Sequence, residues 1–256
     1  MLTPTAPLRT AATAALALAL PAFGMVLGSA AGADAEGAWQ WQFTPFVLAP
    51  SIEGTTELGR TAGDVSIDAG DVFDQLQTGG MLQFEGVHAS NFGFRLRYAV
   101  LDSDADASAS GGALTVRYDQ RVAEAVATYH FGGGRDRFEL FGGVRHWDVD
   151  ATAALGTGPL QGGGSWTDPI AGLRWQRRLS PEFSVLLEGD ISLSGSSEES
   201  WSAMGGLVYD RWERASIYVL YRGLGVEYEE GTRGTSSFFR HDAVTHSLLA
   251  GVGFKF

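Results

Sequence analysis

The chain has 256 residues, no cysteine, 35 glycines, 11% aromatic residues and a formal net charge of −12. The missing cysteines exclude disulfides, thiolate metal sites and thiol nucleophiles. The acidity argues against a nucleic-acid partner and against a polybasic hold on anionic lipid.

The N-terminus carries an export signature. Arg9 is the only charge before Asp34, and "AATAALALALPAFGMVLGSAAGADA" (residues 11–35) is apolar, broken by Pro21 and ends in small residues. A short positive end, an apolar middle and an A-x-A-like site make a secretory signal peptide. Ala31-Gly32-Ala33 and Ala33-Asp34-Ala35 both fit the cleavage pattern. An uncleaved anchor is the alternative, but Pro21, Gly24 and Gly28 make a poor spanning helix. The expected division is a signal peptide at 1–35 and one domain at 36–256.

From there the hydrophobic period is two. Strands are expected at 39–50, 79–89, 92–102, 113–131, 136–149, 166–178, 183–194, 201–211, 215–228 and 243–256. In the seventh, Phe183, Val185, Leu187, Gly189, Ile191 and Leu193 point one way and Ser184, Leu186, Glu188, Asp190 and Ser192 the other. Most segments reach the roughly 9–11 residues that a tilted strand needs to cross hydrocarbon. Short turns at Ser90-Asn91, 132–136, 179–182 and 211–214 alternate with longer polar connections at 51–78, 103–112, 150–165, 195–200 and 229–242. Short turns on one side and long loops on the other are the pattern of a closed antiparallel transmembrane β-barrel of the outer membrane. Ten strands put both termini on the periplasmic side; eight is the alternative count.

A secreted β-sandwich also alternates, with its apolar face inside. Against it stand charges in mid-strand opposite the apolar stripe. Aromatics also gather at segment ends, as a membrane-interface girdle requires: Trp39, Trp41 and Phe43, Tyr129 and Phe131, Trp166 and Trp175, Trp201 and Tyr209. The last strand ends "SLLAGVGFKF", with Leu248, Ala250, Val252, Phe254 and Phe256 on one face. It is expected to close the barrel against the first strand, since lipid leaves no backbone donor unpaired.

The segments "FGGVRHWDVD" (141–150), "WTDPIAGLRW" (166–175), "LLEGDISLSGSSEESW" (186–201), "YRGLGVEYEE" (221–230) and "GVGFKF" resemble those of a family of small, mostly uncharacterised outer-membrane β-barrel proteins of Gram-negative bacteria. "TPFVLAPSIEGT" (44–55) and "DVSIDAGDVFDQL" (64–76) resemble it too. His146 stands where that family often has tyrosine, and "DISLSG" is less glycine-rich than usual. The resemblance implies location and architecture and carries no activity. It also implies that Val252, Phe254 and Phe256 form the signal read by the barrel assembly machinery.

With the apolar stripe outward, twelve charges point inward: Glu85, Arg95, Arg97, Glu124, Glu139, Arg145, Asp168, Arg174, Glu188, Asp190, Arg222 and Lys255. Six of each sign suggest cross-strand ion pairs that fill the bore, because a lone desolvated charge costs several kcal/mol. A narrow porin-like channel is the rival, though a selective pore favours one sign at its constriction. Residues 64–77 are expected to form a short strand at Val65 and Ile67. A helix of one to two turns, capped by Asp71 and carrying Val72, Phe73 and Leu76, follows as a lid over or into the external mouth; an ordinary ordered surface hairpin is the alternative.

Hydrolase readings come third. "HASN" (88–91) resembles the His-x-Ser-Asn stretch of lipid A deacylases, but falls in a periplasmic turn. His241-Asp242 with Asp148 and Asp150 could serve a rim protease. "DSDAD" (102–106) spaces carboxylates like half a calcium loop but lacks the later glycine and glutamate. The expectation is therefore a monomer without catalytic residues, cofactor or metal. Its partners would be outer-membrane lipid and lipopolysaccharide, and the assembly machinery during biogenesis.

Overall fold

The computed structural model describes residues 39–58, 61–67, 79–109, 112–155, 158–233, 235 and 238–256. The expected signal peptide and three members of the expected lid, Val72, Phe73 and Leu76, lie outside them. The described residues contain no helix. They form β1 (Trp39–Leu58), β2 (Thr61–Ile67), β3 (Gly79–His88), β4 (Phe92–Ala109), β5 (Gly112–Gly133), β6 (Asp136–Leu155), β7 (Gly158–Arg178), β8 (Phe183–Ser192), β9 (Glu199–Trp212), β10 (Ala215–Glu230) and β11 (Phe239–Lys255).

All pairings are antiparallel, and the sheet closes where β11 returns to β1. Trp41 and Phe256 exchange two backbone hydrogen bonds of 3.1 Å, so pairing runs to the last residue. β2 and β3 share one place in the wall. β2 pairs with the upper part of β1, with Ile52 opposite Ile67, and β3 with the lower part, with Leu48 opposite Gly79. Both pair with β4 on their other edge. The result is a closed ten-stranded barrel whose second strand comes in two pieces. Val65 and Ile67 therefore belong to a wall strand, opposite Gly54 and Ile52, and do not fold over the mouth.

The polarity of the wall changes with height. Near the short turns the outward residues are apolar: Phe92, Leu96 and Tyr98 on β4, Tyr129 and Phe131 on β5, Leu140 and Val144 on β6, Phe183, Leu187 and Ile191 on β8, Leu248, Val252 and Phe254 on β11. From Phe92 to Val100 this belt climbs about 20 Å along the barrel axis at ordinary strand rise and tilt. Stacked or tilted rings edge it at the turn end, among them Trp39 on Trp41, Phe92 with Tyr129, and Phe183 with Tyr209.

Above the belt the faces trade chemistry without breaking step. On β6, Val144 points out and Arg145 in, but two residues on Trp147, Val149 and Ala151 point in and are at most 2% exposed, while Asp148 and Asp150 point out. The same exchange separates Val100 from Asp102 on β4, Ala123 from Arg121 on β5, and Leu248 from Asp242 on β11. Below it the wall suits hydrocarbon outside; above it, water.

This exchange accounts for several departures from expectation. Most of the residues expected as polar loops at 51–78, 103–112, 150–165 and 229–242 are strand; the outward stripe stops being apolar there while the backbone continues. Trp166, expected in the girdle, sits inside, stacked on Trp147 at 5.8 Å and on Tyr228 at 3.9 Å and 5°. Opposite walls touch at this level. A Cβ on Gly164 of β7 would lie 3.0 Å from Tyr228 of β10 and 3.4 Å from Phe239 of β11. The upper half is thus packed like two facing sheets.

A Gly164→Leu substitution would push its side chain into this aromatic stack. The upper hairpins should become protease-sensitive and the unfolding midpoint should fall, while membrane insertion, read by flotation with vesicles, stays intact.

Candidate functional site

The lumen has three levels, set by which residues the alternation sends inward. At the turn end it opens as a vestibule of 610 Å³ lined by Gln40, Gln42, His130, Arg137 and Gln176 among others. Gln42 Nε2 donates to Tyr218 Oη at 2.9 Å and to Thr44 Oγ1 at 3.0 Å. His130 stands 3.8 Å from Glu139 here.

Next comes a layer of ion pairs. Glu188 accepts from Arg97 at 2.6 and 3.0 Å and from Arg174 at 2.7 Å. Arg174 also donates to Glu85 at 2.7 Å and reaches Glu139 at 3.5 Å. Arg95 pairs with Glu139, lies 3.6 Å from Glu188 and stacks its guanidinium on Phe141 at 4.5 Å. Glu124 joins Arg97 at 3.3 Å, Arg145 at 3.0 Å and Arg222 at 2.5 Å; Arg145 continues to Asp190 at 2.7 Å. Gln83 takes the remaining Arg97 Nε–H at 2.6 Å. Five arginines and five carboxylates from β3, β4, β5, β6, β7, β8 and β10 form one connected, charge-balanced set. Every side chain in it is at most 16% exposed.

Two of the twelve residues expected there are elsewhere. Asp168 is fully buried but accepts from Ser196 N at 3.1 Å, Ser197 N at 3.0 Å and Ser197 Oγ at 2.6 Å. It holds the β8–β9 connection instead of an arginine, because β7 has climbed above the ion-pair layer by that point. Lys255 pairs with Asp210 at 2.8 Å on the half-exposed lower rim.

The third level is the aromatic stack around Trp147, Trp166 and Tyr228. Beside it lies a polar chain that parity alone could have located. Tyr118 Oη donates to Gln120 Oε1 at 3.1 Å, which leaves it accepting from His241 Nε2–H at 3.1 Å; His241 Nδ1 then accepts from Thr56 Oγ1 at 3.1 Å. Burial pushes the Tyr118 hydroxyl up and the His241 imidazole down to about 4.

The hydrolase geometries do not assemble. His241 points in at 2% exposure while Asp242 points out toward Arg240. His88 Nδ1 accepts from Ser90 Oγ at 2.7 Å and from Ser90 N at 3.1 Å, which closes an exposed turn. Residues 102–106 are extended and paired with 115–119 of β5, so they cannot wrap a cation. Asp102, Asp119 and Asp150 face one another across three strands above the belt. Partial burial, followed by the charge on Asp102, raises the Asp119 carboxyl. No group of three or more metal-binding side chains occurs among the described residues.

No family model matches the chain, and no curated protein matches it. Among solved structures it is similar to the outer-membrane protease OmpT of Escherichia coli, at 9% identity and a TM-score of 0.55, over 86% of this chain and 97% of that one. A major outer-membrane protein of Thermus thermophilus gives 12% identity and a TM-score of 0.45, over 86% and 100%. Ail of Yersinia pestis gives 10% and 0.40, over 86% and 100%. The fold is that of an outer-membrane β-barrel.

Two outcomes test the lumen. Glu188→Ala would take one partner from each of Arg95, Arg97 and Arg174 and leave the buried set with one uncompensated positive charge, and should cost about 3–5 kcal/mol of stability, read from urea unfolding in micelles. His241 is neutral in the fold, whereas an unfolded chain protonates it below about 6.5. The stability this brings is complete above that pH, falls as the pH drops through it toward 4 and is gone below, about 3 kcal/mol in all. Unfolding between pH 8 and 4 should record that loss, and His241→Gln should shrink it.

Proposed function

We propose that this is an exported, monomeric, non-enzymatic barrel whose lumen is occluded, serving a structural or interaction role at the cell surface. Residues 1–35 are its signal peptide. The vestibule faces the periplasm with both termini, and the packed upper half stands outside the membrane, where its partners are outer-membrane lipid and lipopolysaccharide. The resemblance of its segments to small outer-membrane barrels of Gram-negative bacteria supports this placement.

One observation carries the reading: the connected layer of five arginines and five carboxylates, with an aromatic core directly above it. Ions crossing the lumen would have to break paired, desolvated charges and then enter an apolar stack. Such a passage lacks both the excess of one sign and the water that conduction needs. The 610 Å³ vestibule is on this reading a dead end.

Purified protein in planar bilayers should be silent at several voltages. Stable single-channel steps from the wild type would replace this reading with the narrow channel. Replacing Arg97, Glu188 and Arg174 together by alanine should increase ion leakage, but only when Trp166→Ala is added, since each layer closes the bore alone.

The terminal strand is proposed as the assembly signal. Deleting Phe256 removes a ring from the girdle and both backbone bonds to Trp41. Export should continue while folded barrel, scored by mobility on unheated gels, drops several-fold.

A further inference from the structure

The apolar belt is not uniformly convex. Across β8 and β9 it sinks into a groove of 680 Å³ whose lining is almost wholly apolar. Gly189 and Ala203 make the floor, Leu187 lies over Gly205 at its lower end, and Leu173 and Trp175 run along one side. The other side is the Trp201 ring, laid over Gly223 and Gly225 of β10, with Tyr221 and His246 beyond it.

Register fixes its height. Tyr209 pairs with Phe183 in the lower girdle, and Trp201 is eight residues higher on the same strand, about 20 Å up the axis at ordinary rise and tilt. The groove therefore runs up the belt from Trp175, whose Nε1 donates to Asp136 beside the lower turn at 3.0 Å, to Trp201 at the upper membrane surface. Its top carries polar atoms: Trp201 Nε1 lies over Gly225, and Tyr221 Oη is 2.8 Å from His246 Nδ1.

We propose that this groove holds one acyl chain of a lipid from the outer leaflet, with the lipid's ester and hydroxyl groups level with Trp201 and His246. It is continuous with the lipid-facing belt, so bilayer chains are the material in contact with it. Its shape selects a thin, flexible occupant: a second barrel's convex wall would bridge the two aromatic sides and leave the floor uncovered, forfeiting contact. No arginine or lysine lines it, so it reads the tail and not a phosphate. The inference takes its leaflet from the orientation proposed above and is independent of whether the lumen conducts.

Gly189 gives a clean test. A Cβ there meets nothing nearer than 3.8 Å, so Gly189→Phe fills the floor without disturbing the strands. Full-length protein is extracted from outer membranes in mild detergent and weighed by native mass spectrometry, beside Gly189→Phe, Ala203→Leu and a belt control, Ala127→Phe on β5. Mobility on unheated gels identifies folded variants. Wild type and control should each retain one bilayer lipid per barrel, and the groove variants about tenfold less, the loss expected when two or so methylenes lose their contacts. The proposal fails if the wild type is lipid-free, if a folded groove variant retains as much lipid as the wild type, if the retained mass is a free fatty acid, or if it is a second copy of this chain.

Discussion

A backbone immersed in hydrocarbon has no water to bond to, and the structure is organised around that fact. It explains why the sheet closes, why β11 pairs with β1 down to Phe256, and why β3 takes up the wall position that β2 leaves. It also explains where regularity relaxes. The β8–β9 connection, with its side-chain caps from Asp168 and Ser192, occurs at the top of the belt, where water can satisfy what the ladder does not.

Closure creates the second problem, a narrow interior. Ten strands enclose a space that inward side chains can nearly fill. In the belt those side chains are arginines and carboxylates, tolerable only as a connected set in which every charge meets at least one of the opposite sign and most meet two or three. Replacing them by leucines would fill the same volume but leave strands apolar on both faces, hard to tell from buried helical segments and prone to collapse before insertion. Higher up, where the outside is wet, the interior can be largely apolar, and it is, around Trp147, Trp166 and Tyr228 with one neutral polar chain beside them. The lumen is closed twice by opposite chemistries because each level must be the reverse of its surroundings.

Much of this was legible in the residues. Period-two alternation located the ten wall positions and the lower ends of nearly every strand, and parity picked out the ten charges that meet in the lumen. Three features were not legible. The upward extension of the strands was hidden because alternation persists while the apolar face changes sides; Trp147, Val149 and Ala151 look like an interruption unless the phase is followed. Asp168 and Lys255 share the parity of the network but not its height, and height depends on shear, which pairing sets and a single strand does not reveal. The piecing of one wall position from β2 and β3 requires knowing that both pair with the same neighbours.

Because β8 stops at Ser192 and β9 begins at Glu199, while β6, β7, β10 and β11 rise well past that level, the part standing clear of the membrane has a low side. Among the described strands the upper rim is a parapet with one step in it, held in shape by the Asp168–Ser197 clasp and by Glu198 bonded to Glu227. A barrel of this kind has a front and a back in the plane of the membrane. Neighbours drifting past would meet a tall acidic wall from most directions and a sill at lipid height from one.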